Sequence, residues 1–384
     1  MEQIKGYKNS RILTDKGIVK ADLLIEGGVI KSIGKLDCDG LTELDSDRII
    51  IPGFIDQHIH GAAGCDAIDG SLDALHAMAE ALAQEGTTGF LATTTTHSSA
   101  VIEKAVGAVN EYIKASPDSG AEILGVHLEG PFISERFLGA QLPEYVAQPL
   151  VDTFRRYESA SGGNIRLVSM STETEGADEL VAYLVSKGIV VSLGHTDATY
   201  IQAKQAVAAG ATCVTHTYNA QRPVHHREVG TVGAAMLLDE LYCELICDGI
   251  HVSAPAVKLL HKNKPADKLV LITDALRAKY MADGVYEEDG GQLITVNGGE
   301  ARLPDGTLAG SVLRMNDAVR YLMDKTGIDL PAAVKCATEN PAKCLGVFDR
   351  VGSISVGKDA NLVIVDESLR VYTTVRRGKV IYSL

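Results

Sequence analysis

Residues 50–61 of this chain read IIPGFIDQHIHG, a short apolar segment that ends in a His-x-His pair. Its β-branched residues predict a buried strand, and side chains alternate from one face of a strand to the other. His58 and His60 are therefore expected on the same side, with Ile59 pointing away. Two imidazoles placed in this way at a strand end can bind one metal ion. The competing interpretation is two unrelated histidines at the end of a core strand, and the rest of the chain bears on that choice.

The composition is that of a large globular protein with no general affinity for polyanions. The chain has 384 residues, a hydrophobic content of 46% and a formal net charge of −14. This length suits a barrel of about 250 residues plus a smaller module. The negative charge argues against binding nucleic acid or an anionic membrane surface. Because we find no apolar run of membrane length, no signal-peptide core and no disulfide framework, we expect a cytoplasmic protein.

The two ends of the chain differ in pattern from the middle. Residues 1–51 and 347–384 contain short apolar segments separated by turn residues, so we expect them to pair into one small β-sandwich. Residues 52–346 alternate apolar strands with helical patterns. Repeated units of this kind predict a parallel sheet, and about eight of them predict a closed barrel. The predicted fold class is α/β, a TIM-like (β/α)8 barrel with a β-sandwich built from both termini.

Residues able to carry chemistry stand at the ends of the predicted barrel strands, where such barrels place their active sites. These residues are His58, His60, Glu129, His195, His216, His251 and Asp274. A solvated polar group explains any one of them, but a shared site explains the whole set better. Imidazoles with a carboxylate suit a divalent ion such as Zn²⁺, Fe²⁺ or Co²⁺.

This set of side chains predicts metal-assisted hydrolysis. A bound ion lowers the pKa of a water molecule to about 7 and polarises a substrate carbonyl. A carboxylate can then accept the proton of the water and pass it to a leaving group. We assign this role to Asp274. Its alternative role, as a further metal ligand, stays open because the two roles can coexist.

The motifs resemble those of the amidohydrolase superfamily, whose members are metal-dependent barrels with a small β-sandwich. PGFIDxHxHG at 52–61 and GKDANLV at 357–363 carry this resemblance. More narrowly, the chain is similar to the family of N-acetylglucosamine-6-phosphate deacetylases, from residue 52 to the C-terminus and in the same order throughout. The motifs are HLEGPF (127–132), GHT (194–196), THTYNA (215–220), HHRE (225–228), DGIH (248–251), TDA (273–275) and LAGS (308–311).

The resemblance implies a reaction and a set of site residues. The reaction is hydrolysis of N-acetyl-D-glucosamine 6-phosphate to D-glucosamine 6-phosphate and acetate, in amino-sugar catabolism. Asp274 is the implied acid/base. The implied metal ligands are Glu129, His195 and His216 for a primary ion, and His58 and His60 for a second. The implied substrate-binding residues are Ala140, Gln141, Asn219, Ala220, Arg227, His251, Leu308, Ala309 and Gly310.

The resemblance also implies a cofactor and an assembly. The cofactor is one or two divalent ions per subunit, Zn²⁺ or Fe²⁺, with Co²⁺ and Mn²⁺ as alternatives. In the family a phosphate-binding arginine reaches across a dimer interface, so we expect a homodimer in which Arg227 reaches the partner's site. One position departs from the family. Relatives often have a histidine where this chain has Gln141, and an amide donates hydrogen bonds but cannot become a cation.

Three alternatives remain open at this point. The substrate can be N-acetyl-D-galactosamine 6-phosphate or another acetamido sugar phosphate, since the epimers differ in one hydroxyl. A cyclic amidase is disfavoured, because residues 166–170 offer no lysine to bridge two ions. A non-catalytic scaffold with the same fold is also disfavoured, because each expected catalytic position holds a competent residue.

Overall fold

The computed structural model describes residues 3–288 and 290–384. In these ranges the chain forms an eight-stranded barrel sheet, an eight-stranded sheet from the termini, and smaller sheets of four and two strands. None of the helices in this part of the chain is long and apolar enough to cross a membrane.

The strands and helices follow one another in the order of an alternating barrel between two β-rich ends. The strands are β1 (Gly6–Thr14), β2 (Gly17–Glu26), β3 (Val29–Gly34), β4 (Thr42–Glu43), β5 (Ile49–Pro52), β6 (Phe54–Ile59), β7 (Gly61–Ala62), β8 (Cys65–Asp66), β9 (Thr87–Thr94), β10 (Glu122–Glu129), β11 (Ile165–Met170), β12 (Val190–Leu193), β13 (Cys213–Val214), β14 (Tyr242–Ile246), β15 (Leu269–Ile272), β16 (Gly284–Glu287), β17 (Leu293–Asn297), β18 (Glu300–Arg302), β19 (Leu308–Ser311), β20 (Leu362–Val365), β21 (Val371–Arg376) and β22 (Lys379–Ser383). The helices are α1 (Leu72–Ala83), α2 (Ser99–Ala115), α3 (Val151–Ala160), α4 (Ala177–Ser186), α5 (Tyr200–Ala208), α6 (Gly230–Leu237), α7 (Ala254–Asn263), α8 (Met315–Thr326), α9 (Leu330–Cys336) and α10 (Glu339–Cys344).

The barrel is a parallel sheet, in which the strands follow the order β6, β9, β10, β11, β12, β13, β14, β15. Its strands are buried almost throughout, as expected when helices cover the outer face of a parallel sheet. The first and last strands contact each other. The backbone N–H of Asp274 donates to the carbonyl of His58 at 2.8 Å just beyond their ends. The predicted fold class is confirmed, and the carboxyl ends of the strands share one face.

The sheet made by the termini confirms that both ends of the chain pair with each other. Its order is β22, β21, β20, β5, β1, β2, β3, and its eighth strand, β4, pairs with β1. Strand β5 pairs antiparallel with β20, so that Ile50 lies opposite Ile364. Apolar residues from both ends form its core, among them Ile12, Leu23 and Val375. Since β5 leads directly into β6, this sheet anchors the strand that carries the His-x-His pair.

A four-stranded antiparallel sheet, β16 to β19, lies between β15 and α8, and the sequence patterns did not predict it. Buried side chains such as Ile294, Val296 and Ala309 give it a small core of its own. Its strands are only three to five residues long. Strands this short give only a weak alternation signal in the sequence.

Candidate metal centre

Three side chains from neighbouring barrel strands converge at the carboxyl end of the barrel. Glu129 is the last residue of β10, whereas His195 and His216 follow β12 and β13 by two residues. Oε1 of Glu129 lies 3.2 Å from Nε2 of His195 and 3.1 Å from Nε2 of His216. All three side chains are buried, and their atoms lie close enough to share one metal ion.

A second group of buried side chains lies beside the first and consists of His58, His60 and Asp274. Oδ1 of Asp274 is 3.4 Å from Nε2 of His58 and 3.2 Å from Nε2 of His60. Glu129 joins the two groups, because its Oε1 is 3.3 Å from Nε2 of His58 and its Oε2 is 3.2 Å from Nε2 of His60. The carboxylate of Glu129 therefore faces both groups, as a bridging ligand would.

The donor atoms fit divalent ions. Nε2 of His195 and Nε2 of His216 are 3.1 Å apart, which is close to the separation of about 3.3 Å between two nitrogens on one tetrahedral zinc ion. Nε2 of His58 is buried, and among the described residues neither of its two carboxylate neighbours has the geometry of a hydrogen bond to it. A buried polar atom without a partner is costly, and a metal ion would satisfy it. Each group therefore fits one ion.

The backbone is strained where it presents these side chains. His195, His216 and Asp274 have φ values of 48°, 28° and 48°, in the left-handed region that non-glycine residues rarely adopt. Strain of this kind persists where the surrounding structure imposes it, and it concentrates at functional sites. At all three positions the chain turns sharply after a barrel strand.

The electrostatics of the centre favour ionised carboxylates. Burial by itself raises the pKa of the Glu129 carboxyl, but His58 and the hydrogen bonds from His195 and His216 outweigh it, so the pKa lies well below its ordinary value. Burial opposes the protonation of His60, but Asp274 and Glu129 outweigh it and raise its pKa to about 10. The two carboxylates of the centre, Glu129 and Asp274, are thus ionised, and their negative charge favours a bound cation.

Further contacts orient the imidazoles. Nδ1 of His195 contacts the carbonyl oxygen of Phe137 at 2.9 Å, which turns its Nε2 toward Glu129. Nδ1 of His58 lies 3.1 Å from Oε2 of Glu244, a carboxylate in the middle of β14. Contacts of this type fix the tautomer of a metal-binding histidine. The search for strand-end residues missed Glu244, although a charged residue inside an apolar strand is itself a signal.

The side chain of Gln141 contacts a candidate metal ligand, Glu129, which the sequence did not predict. Its amide nitrogen donates to Oε2 of Glu129 at 2.8 Å, and its amide oxygen accepts from the hydroxyl of Thr95 and the backbone N–H of Thr96. The amide is therefore held by contacts on both sides. In this arrangement Gln141 supports Glu129 as well as facing the cavity.

A cavity of about 270 Å³ opens above the two groups. Of the residues that the sequence singles out, those that line it are His60, Glu129, Ala140, Gln141, His195, His216, Asn219, Ala220, His251, Asp274, Leu308, Ala309 and Gly310. His58 lies beneath the cavity and is fully buried. Arg227 does not line the cavity; it is exposed and contacts Nε2 of His226 at 2.8 Å. The inserted sheet adds Ile294 and Leu303, which the sequence motifs did not reveal.

His251 lies on the cavity wall next to an acidic partner. Its Nδ1 is 2.7 Å from Oδ2 of Asp248, whose other oxygen accepts the backbone N–H groups of Ile250 and His251. Burial disfavours the imidazolium, but the hydrogen bond to Asp248 outweighs burial and raises the pKa of His251. Asp248 therefore favours the protonated form of His251 on the cavity wall.

Comparison with known proteins agrees with this geometry. The model of the Amidohydrolase family matches residues 49–381. An N-acetylglucosamine-6-phosphate deacetylase from Bacillus subtilis (strain 168) is 42% identical, over 98% of this chain and 96% of the relative. An N-acetylgalactosamine-6-phosphate deacetylase from Escherichia coli O157:H7 is 36% identical, over 94% of this chain and 95% of the relative.

A solved structure is similar along the whole chain. It is an alanine mutant of the N-acetyl-D-glucosamine-6-phosphate deacetylase from Mycobacterium smegmatis, in complex with N-acetyl-D-glucosamine-6-phosphate. The two chains superpose with a TM-score of 0.93 at 30% sequence identity, and the match covers 100% of each.

Proposed function

Because this chain belongs to the amidohydrolase family, we propose that it hydrolyses the acetamide of N-acetyl-D-glucosamine 6-phosphate to D-glucosamine 6-phosphate and acetate. The observation that carries the proposal is the shared carboxylate of Glu129 between two histidine-containing groups at the floor of a cavity. Relatives over nearly the full chain, one of them solved with this sugar phosphate, support the choice of substrate. The reaction belongs to amino-sugar catabolism.

The proposed cofactor is a pair of divalent ions, Zn²⁺ or Fe²⁺. Glu129, His195 and His216 would hold the first ion, and His58 and His60 the second, with Glu129 facing both. When bound, such ions lower the pKa of a water molecule and polarise a carbonyl oxygen. The role of the chain is to fix this geometry and to exclude bulk water from the floor of the cavity.

Asp274 is the proposed acid/base. Its carboxylate lies at the floor of the cavity beside His60. Burial raises the pKa of this carboxyl, but His58 and His60 outweigh burial and lower it, so the group is ionised. The proton of the attacking water passes to Asp274 as the water oxygen bonds to the acetamide carbon. Asp274 then returns it to the amine nitrogen as the carbon–nitrogen bond breaks, releasing acetate.

The substrate would extend from this floor along the cavity wall. Leu308, Ala309 and Gly310 on the inserted sheet would contact the acetyl methyl group, with Ala140 and Gln141 nearby. Asn219, the backbone of Ala220 and His251 would bind the sugar phosphate on the opposite side. Charge-assisted hydrogen bonds of this kind bind phosphate well.

Arg227 completes the proposed phosphate site from a second subunit. Its exposed guanidinium on the loop between β13 and α6 is outside the cavity of its own chain. A planar fork of donors suits a phosphate group, and a homodimer would bring the fork to the partner's cavity.

We also propose the domain boundaries 1–51, 52–346 and 347–384.

Acetate release tests the function. Protein reconstituted with Zn²⁺ or Fe²⁺ is incubated with N-acetylglucosamine 6-phosphate, with its galactosamine epimer and with unphosphorylated N-acetylglucosamine. We expect preference for the gluco phosphate over both others. If metal-loaded protein releases no acetate from any of the three substrates, the proposal is contradicted.

The galactosamine epimer is the second candidate substrate. One relative of this chain, 36% identical, is an N-acetylgalactosamine-6-phosphate deacetylase. Preference for the epimer in the same assay would keep the mechanism and change the substrate.

A further inference from the structure

Glu244 is a fully buried carboxylate at the centre of an apolar barrel strand. Its neighbours on β14, Cys243 and Leu245, are fully buried as well. An isolated buried carboxylate is very costly, so its partners must compensate for the loss of water. Neither group of candidate metal ligands contains it.

The partners of Glu244 belong to both halves of the metal centre. Oε2 lies 3.1 Å from Nδ1 of His58 and accepts the backbone N–H of His216 at 3.2 Å. Oε1 accepts from Nε2 of Gln57 at 2.7 Å. The side chain therefore reaches across the barrel interior to the strand that carries the His-x-His pair.

The contact with His58 determines which ring nitrogen faces the cavity. With Nδ1 protonated and donating to Glu244, the lone pair of His58 is on Nε2, and that atom lies near both Glu129 and Asp274. Neither of these two contacts has hydrogen-bond geometry, so Nε2 is left without a hydrogen bond in the described part of the chain. Nε2 of His60 likewise lies 3.2 Å from carboxylate oxygens of Glu129 and Asp274.

We propose that Glu244 is a positioning residue that orients His58 and thereby sets the affinity of the second metal ion. The inference rests on the proposed two-ion centre. Carboxylates that hold the far nitrogen of a metal-binding histidine fix its ring orientation and raise its basicity, and replacing them weakens metal binding by about 10- to 100-fold. The contact with His216 is through the backbone, so the first ion depends on Glu244 less directly.

Metal titration of stripped protein tests this proposal. Zn²⁺ is titrated against a chromophoric chelator, and the absorption spectrum of the Co²⁺-loaded protein reports each site. Glu244→Met removes the acceptor at similar side-chain length, and we expect it to weaken the second ion about 10- to 100-fold and the first ion less. Glu244→Gln keeps an acceptor oxygen for Nδ1, so it should lose less affinity than Glu244→Met.

A matched control comes from the same polar part of the barrel interior. Ser192→Ala removes a buried hydrogen bond of 2.6 Å to Thr215, which is not one of the candidate ligands, so both affinities should stay unchanged. Equal weakening of both ions by Glu244→Met, or the same loss in Ser192→Ala, would overturn the proposal. A second ion bound with unchanged affinity by Glu244→Met would overturn it too.

Two further comparisons keep the test decisive. If Glu244→Met does not fold, Glu244→Asp takes its place, because it keeps the charge but withdraws it from His58; unchanged binding of the second ion by that variant would overturn the proposal. The unaltered protein is measured first. Fewer than two ions there would contradict the two-ion centre itself, whereas absent acetate release with two ions bound would contradict only the proposed substrate.

Discussion

At the scale of single residues, the position of Asp274 is compatible with two roles, that of a metal ligand and that of an acid/base. Its Oδ1 is within 3.4 Å of both histidines of the second group, and its strained backbone aims it at the cavity floor. A carboxylate in this position is able both to contact an ion and to transfer a proton. The acid/base role predicts an effect on the chemical step that metal binding alone does not produce.

We predict that Asp274→Asn lowers kcat by about 10³-fold, because an amide cannot accept the proton of the attacking water. KM should change little, since the residue lies away from the proposed phosphate site. Steady-state kinetics with the metal content of each sample measured in parallel checks this. Near-normal kcat at full metal content would remove Asp274 from the chemistry.

Arg227 is proposed to bind the phosphate group, at the end of the substrate away from the acetamide. Arg227→Ala should raise KM for the phosphorylated sugar at least tenfold and leave kcat nearly unchanged, because the lost interaction is with a group remote from the reacting bond. Arg227→Lys should restore only part of the loss, since an ammonium lacks the planar fork. A KM equal to that of the unaltered protein would contradict the phosphate role.

We expect His251, which is proposed above to bind the sugar phosphate, to make substrate binding depend on pH. Because its pKa is raised by Asp248, the imidazolium persists above its ordinary pKa of 6.5 and is lost as pH rises through the folded-state pKa. The stability from this pair is likewise complete below pH 6.5 and lost at higher pH. We predict that KM for the phosphorylated sugar rises as pH increases through this range.

Asp248→Asn is the matched variant for that prediction. Asn keeps an oxygen for the backbone N–H groups of Ile250 and His251, but it removes the negative charge next to the ring. The rise in KM should therefore move to lower pH. A KM profile that is identical in the two proteins would rule out His251 as the titrating group.

At the scale of elements, the barrel interior below the metal centre is polar. Thr215 contacts the hydroxyls of Ser169 and Ser192, each at 2.6 Å, and Ser169 also contacts Nε2 of His127 at 2.7 Å. Burial lowers the pKa of His127 well below its ordinary value, so this imidazole is neutral. Barrel interiors are usually filled with branched apolar side chains, whereas this part of the interior holds a cluster of hydrogen-bonded hydroxyls and one imidazole.

A network of ion pairs joins the barrel to the sheet made by the termini. Arg350 contacts Oε2 of Glu122 at 2.9 Å and Oδ2 of Asp359 at 2.8 Å, and Arg377 contacts the same two carboxylates. Glu122 begins β10, whereas Asp359 precedes β20. The network therefore holds together two elements that come from distant parts of the chain.

We predict that Arg350→Met lowers the free energy of unfolding by about 2 kcal/mol, because it removes charge-assisted hydrogen bonds from two carboxylates. The control is Arg320→Met on α8, whose partner Asp317 is exposed, and it should cost less than about 0.5 kcal/mol. Urea denaturation of both variants measures the difference. Equal effects would show that the network adds no stability of its own.

At the scale of the whole molecule, the sequence predicted the features that depend on strand ends. Parallel strands bring their carboxyl ends to one face, so residues as far apart as His58 and Asp274 were expected together, and they lie together. The pairing of the two termini followed from their shared pattern of short strands, and β5 does pair with β20. Both inferences rest on the periodic spacing of apolar residues, which can be read directly from the sequence.

Other features depend on contacts that periodicity does not encode. Glu244 lies inside a strand, and its partner His58 is far away in sequence, so only the closed barrel brings them together. The inserted sheet has strands too short for a clear pattern, although Ile294 and Leu303 form part of the cavity wall. Gln141 was expected among the substrate-binding residues, and its contact with Glu129 depends on the path of a loop.

We propose that this barrel hydrolyses an acetamido sugar phosphate with bound divalent ions. The most direct test is the rate of acetate release from N-acetylglucosamine 6-phosphate as metal-stripped protein is titrated with Zn²⁺ or Fe²⁺, with the ions per chain measured at each point. We predict no release without ions and a rate that rises until both groups are filled. Acetate release that is independent of the ion content would contradict the proposed metal-dependent hydrolysis.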